Sequence, residues 1–157
     1  MPASSPRFAP RTRISSVPFD PSIPDDWQLS GVADAPELCA AIGRNFVPGV
    51  DVVLAFDAAG WMELVVPLGV DEPLEGCVDL VAQVVDRGSL LVVVSNRTHQ
   101  VPADRPGDEL VYEEIRGAAL AHDVVLLDWF VIAGTKAFSL AEFAPSGPGW
   151  DQFRPNG

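Results

Sequence analysis

Residues 90–134 read LLVVVSNRTHQVPADRPGDELVYEEIRGAALAHDVVLLDWFVIAG, and this stretch decides the fold. It opens on LLVVVS (Leu90 to Ser95), apolar without alternation, as expected of a central strand covered on both faces. A polar loop from Asn96 to Gly107 follows, then a helix from about Asp108 to His122. The apolar stripe of that helix is Val111, Ile115, Ala118 and Ala119, at helical spacing. VVLLDWFVIAG (Val124 to Gly134) is a second buried strand, and Ala137 to Ala141 forms a short edge strand across the Gly134-Thr135 turn.

Upstream, Val50 to Phe56 and Trp61 to Leu68 are β-rich runs joined by Asp57-Ala58-Ala59-Gly60. That is a hairpin signal, with Gly60 free to take a positive φ. Pro36 suits the first turn of a helix from Ala35 to Arg44, with Asp34 as the expected N-cap. Leu74, Cys77, Val78, Val81, Val84 and Val85 mark another amphipathic helix, ending at Asp86-Arg87-Gly88. The order α-β-β-α-β-α-β-β predicts a single α/β (α+β) sandwich, a mixed central sheet flanked by helices. Residues 1–29, proline-rich and holding Arg7, Arg11 and Arg13, read as a basic tail, and residues 144–157 as a second tail. Trp150 and Phe153 are apolar enough for that second tail to fold back.

Composition excludes several classes. The 157 residues make one domain, and a 48% apolar content suffices for a core. A formal net charge of -12 disfavours nucleic acid, since an acidic surface repels phosphates, and disfavours an anionic membrane equally. No run approaches the roughly 18 to 20 apolar residues of a spanning helix, and the N-terminus lacks the apolar core of a signal peptide. Cys39 and Cys77 lack metal-site spacing and read as buried thiols in a reducing, cytoplasmic compartment.

From Leu90 onward the chain resembles the JAB/MPN domain of RadC-like proteins, which are bacterial and have a cytidine-deaminase-like fold. That family follows a buried strand with a His-x-His-Pro-Ser-Gly loop, a Ser-x-x-Asp at a helix start, a Leu-Asp-His strand and a terminal Tyr/Phe-Ser pair. With Asp108 on the family's helix-start Asp, Leu127-Asp128 falls on its Leu-Asp pair without a gap. Phe138-Ser139 then falls on the Tyr/Phe-Ser pair. The hairpin and the helix from Leu74 also occur in the family's order, so the resemblance spans roughly residues 30 to 143.

The departures concern the chemistry. In an active member two imidazoles, a carboxylate and a water hold zinc, and a glutamate deprotonates the water for attack on an amide. Here the two histidines fall on Ser95 and Arg97, the motif serine on Arg105, the third histidine on Trp129 and the glutamate near Gly49. The nearest acid to that last position is Asp51. Only Asp108 is kept, and neither a hydroxyl nor a guanidinium replaces an imidazole. The resemblance thus implies the fold of a metallopeptidase without its metal, a pseudoenzyme acting through a protein partner or as a homodimer. The helix-hairpin-helix that precedes this domain in RadC-like proteins has no counterpart in the proline-rich residues 1–29, which further disfavours DNA.

Alternatives remain open. A rearranged zinc site for a metallopeptidase or isopeptidase can be drawn from His99, Asp104 and Asp108, with Asp51 as base. A small-ligand regulatory domain would use the cleft between the Ser95 loop and the hairpin. For Asp108 the default is an acid favoured by the helix dipole; the sharper expectation is an ion pair with Arg97, worth about 0.2 to 1 kcal/mol if exposed. His122 is expected to cap the C-terminus of its helix. Ser95 as a nucleophile would need a base that the spacing does not supply. Trp129 is expected in the core or facing a partner, and Asp128 to make a structural polar contact.

Overall fold

The computed structural model describes residues 28–68, 72–97, 107–133 and 136–152. Helix α1 spans Ala35–Asn45, strands β1 and β2 span Val50–Phe56 and Met62–Leu68, and helix α2 spans Leu74–Val84. Strand β3 is Leu90–Arg97, helix α3 Asp108–Leu120, strand β4 Val125–Ala133 and strand β5 Lys136–Ser139. The expected order of helices and strands holds, with short 3-10 turns added at Val32–Asp34, Ala141–Phe143 and Trp150–Gln152. Asp34 sits at the expected N-cap but makes no capping bond. Its carboxylate instead accepts the Ser30 N–H at 2.6 Å and holds the turn that leads into α1.

The sheet has the order β2-β1-β3-β4-β5. Gly60, at φ +95°, closes the β1–β2 hairpin, whose strands pair antiparallel. Strand β3 runs antiparallel to β1 and parallel to β4, with α3 as the crossover between them. Five apolar residues in succession (Leu90 to Val94) are buried because helices cover both faces. Alternate residues serve two cores: Leu91 and Val93 meet α2 and α3 through Val78, Tyr112 and Ile115, while Val92 and Val94 meet α1 through Leu38 and Ile42. The result is a single α+β domain with a mixed sheet between helices. Within the described residues no helix is long and apolar enough to cross a membrane.

His122 does not act chiefly on its own helix end. Its Nε2 lies 3.1 Å from Asp79 Oδ1, linking the end of α3 to α2. The stretch read as a C-terminal tail is packed through Trp150. Ser146 donates from its N–H at 2.9 Å and its hydroxyl at 2.5 Å to the Glu113 carboxylate, lowering the pKa of Glu113. The Tyr112 hydroxyl donates to the Gly147 carbonyl at 3.1 Å, and the Gly149 N–H to the Leu127 carbonyl at 2.7 Å. This strap covers the part of β4 that β5, paired only with residues 130–133, leaves open.

The strap can approach so closely because residue 149 has no side chain: a Cβ there would lie 2.9 Å from the Leu126 carbonyl oxygen. Gly149→Ala is expected to push the strap off β4 and destabilise the domain by about 1–3 kcal/mol. Urea unfolding followed by tryptophan emission measures this, because Trp150 leaves its contact with Phe130.

Candidate functional site

The crossover begins at the end of β3. Along this strand Leu91, Val93, Ser95 and Arg97 alternate onto the α2–α3 side. Arg97 is there only 6% exposed, and it meets Asp108, the first residue of α3, whose side chain is 9% exposed. The guanidinium donates twice, Nη1 to Oδ2 at 2.8 Å and Nη2 to Oδ1 at 3.4 Å. Its carbon lies 5.7 Å from the centre of the Trp129 ring, within cation–π range. Trp129 in turn donates its indole N–H to Ser95 Oγ at 2.7 Å. Three of the positions singled out in the sequence, Ser95, Arg97 and Asp108, therefore form one buried chain of contacts, joined through Trp129. Asp108 remains at a helix start, where the dipole favours it, but the pair with Arg97 is buried rather than exposed. Its loss accordingly costs more than the exposed-pair figure.

This arrangement does not fit a catalytic zinc. Both oxygens of Asp108 accept from a permanent cation, and a divalent ion beside that cation would be repelled. Ser95 Oγ is engaged by an indole N–H, a donor that cannot take a proton, and among the described residues no base is hydrogen-bonded to it. Asp51 on β1 stands opposite Ser95 in the strand register. His99 and Asp104 lie outside the described residues, as does Arg105. Among the described residues no three His, Cys, Asp or Glu side chains gather as a metal site would require.

A second polar cluster surrounds Asp128, which is 1% exposed. Strand β4 carries one extra residue there: Leu91 pairs with Leu126, but Val92 pairs with Asp128. The Asp128 carboxylate accepts the Ser139 hydroxyl at 2.6 Å, the Trp129 backbone N–H at 2.8 Å and the Trp150 indole N–H at 2.8 Å. The expected structural contact is present, and it ties together β4, β5 and the strap. Burial raises the Asp128 pKa, the three hydrogen bonds pull it back in part, and the charge on Glu142 adds to the rise. Burial, helped by the charge on Asp128, pushes the Cys39 thiol up to about 12. Burial, with Glu72 and Asp51, does the same to Cys77, so both thiols are protonated and inert, as expected.

A groove of about 810 Å³ lies between α1 and the β4–β5 end of the sheet, away from the cleft between the Ser95 loop and the hairpin where the sequence placed a ligand. Its floor holds Phe130 and Ile132, and its helix wall holds Ala35, Cys39, Ala40 and Gly43. The small residues of that wall, spaced four, one and three apart, were a legible sign of a helix face leaving room above the sheet. Their meaning depended on how far β5 extends past α1.

Arg97→Met strands a buried carboxylate and is expected to lower stability by about 3–5 kcal/mol, while Arg97→Met with Asp108→Leu recovers most of that loss. A double-mutant cycle by urea denaturation checks it; additive losses would contradict the coupling. For Asp128 the raised folded-state pKa means that the native protein holds this proton more tightly than the unfolded chain. Its contribution is greatest below the unfolded value of about 4 and is lost as pH rises through the folded value. Unfolding midpoints of the protein and Asp128→Asn are therefore expected to diverge in the protein's favour as pH falls toward about 4.

No family model matches the chain, and neither a curated protein nor a solved structure matches it.

Proposed function

We propose that the chain is a non-catalytic protein-interaction or scaffold module, built as a RadC-like JAB/MPN domain that has lost its metal site. The observation that carries this reading is the buried, two-pronged Arg97–Asp108 pair. Arg97 stands where the resembled family has a ligand histidine, and Asp108 where it has the ligand carboxylate. A permanent cation delivered by the protein itself thus takes the place of the metal charge beside the one ligand that is kept. The order of helices and strands, with a hairpin ahead of the crossover, supports the same reading. So does Ser95, which is spent on holding Trp129. Two free, buried thiols support a reducing, cytoplasmic setting.

The rival is a metallopeptidase or isopeptidase using zinc on a rearranged set of His99, Asp104, Asp108 and Asp51. It would need Asp108 to release Arg97, leaving a buried guanidinium without its carboxylate.

Elemental analysis of the purified, untagged protein separates the two. The expected result is less than about a tenth of an equivalent of zinc, iron or manganese, with peptide and isopeptide substrates left intact. About one equivalent of zinc, with cleavage that a chelator abolishes and Asp108→Asn impairs, would overturn the proposal.

A further inference from the structure

We infer that the outer edge of β5 and the groove beside α1 form a docking site for an extended peptide, added as a sixth strand and ending in a free carboxylate. This deepens the interaction-module reading and rests on it.

Four observations converge on the surface. Lys136, Ala137, Phe138 and Ser139 all line the groove, although alternate side chains of a strand point to opposite faces. Four successive residues can border one groove only where the backbone edge of the strand is itself part of the wall. Among the described residues that edge is open: β5 ends the sheet order and pairs with β4 alone. Its N–H and C=O groups can accept an added strand, the strand-addition mode of peptide recognition.

The depth of the groove supplies room for side chains. Ala137 stands opposite Ile132 and Ser139 opposite Phe130, so these four share the α1 side of the sheet. Alternate residues of an added strand would point the same way, over that floor and against the Ala40 and Gly43 wall. That environment suits aliphatic or aromatic side chains.

Charge sets the direction. Among the five described cations, Arg87 is paired with Asp123, Arg97 with Asp108, and Arg116 acts on Glu113. Arg44 and Lys136 have no acidic partner among the described residues of a chain whose net charge is -12. Both border this groove, and both lie at one end of it, since Gly43 approaches Ile132 and Lys136 pairs with Ala133. Glu142 also borders the groove, beyond the far end of β5. A strand running antiparallel to β5 finishes at the Lys136 end, which places its terminal carboxylate near the two cations and its chain direction away from Glu142. Capture of a C-terminal carboxylate in this way is a general mode of peptide recognition.

The test uses the full chain and an array of fluorescein-labelled peptides about six residues long. Thr alternates in them with Val, Ile, Leu or Phe, and each sequence is made with a free C-terminal carboxylate and as the amide. Fluorescence anisotropy is expected to find members that bind in roughly the micromolar range and weaken at least about tenfold on amidation. Arg44→Glu with Lys136→Glu should weaken them by a similar factor. Gly43→Phe fills the groove from an exposed helix position and should abolish binding, with circular dichroism showing that the variant stays folded. Absence of binding up to about millimolar protein would overturn the inference, as would equal binding of acids and amides. Light scattering showing a dimer that Gly43→Phe dissolves would overturn it too, by giving the edge to a second copy. Mass spectrometry of the recovered peptides keeps the two readings apart. Intact peptides that do not bind remove only the docking site, whereas metal-dependent cleavage removes the non-catalytic function whatever the binding.

Discussion

One extra residue in β4 governs both polar clusters. A regular strand would place Trp129 on the same face as Leu127, toward α1. Because the register slips between Leu91 and Val92, Trp129 instead shares the α2–α3 face with Leu126. There it lies under Arg97 and reaches Ser95. The same slip leaves Asp128 at the bulge, where it binds Trp150 from the strap and Ser139 from β5. A bulge re-aims side chains at a local cost in ladder pairing. Here that cost is offset by four hydrogen bonds that an uninterrupted strand would not make together.

The Arg97–Asp108 pair depends on that geometry, and its energetics clarify its role. A buried ion pair contributes little net stability relative to apolar residues of similar shape, because desolvation of both charges opposes their attraction. Its physical consequence is instead to fix contents: once the pair is formed, neither partner is available without leaving a bare charge in the interior. The cation–π contact and the indole–serine bond extend this constraint across two strands and a helix start. A site closed in this way favours a permanent arrangement over one that admits a metal and a substrate.

The two sheet edges near β4 are treated differently. Residues 125–129 lie beyond β5, and the strap covers them, with Gly149 against Leu127 and Trp150 against Phe130. Among the described residues the outer edge of β5 has no such cover, and it borders the groove below α1. An exposed edge invites pairing, and proteins commonly shield it with charge. Lys136 and Arg44 are suited to that shielding and, in an acidic chain, to attracting an anionic strand end by the same means.

Local pattern carried much of this structure. Apolar runs at 90–94 and, on both sides of Asp128, at 124–133, helical spacing at 74–85 and 108–122, and a glycine-closed hairpin are short-range consequences of burial, so the order of elements and the mixed sheet were legible in the residues alone. So was the absence of imidazole at positions 95 and 97, since a side chain's chemistry needs no fold to be known. Other features arise only between elements distant in the chain. The burial of Arg97 against Asp108 and Trp129, the grip of Asp128 on Trp150, and the groove left where one helix fails to cover the β5 end each required the tertiary structure. The bulge explains why: a period-two pattern predicts strict alternation, and one inserted residue, which a run apolar on both sides of Asp128 does not reveal, reverses which face every later side chain takes.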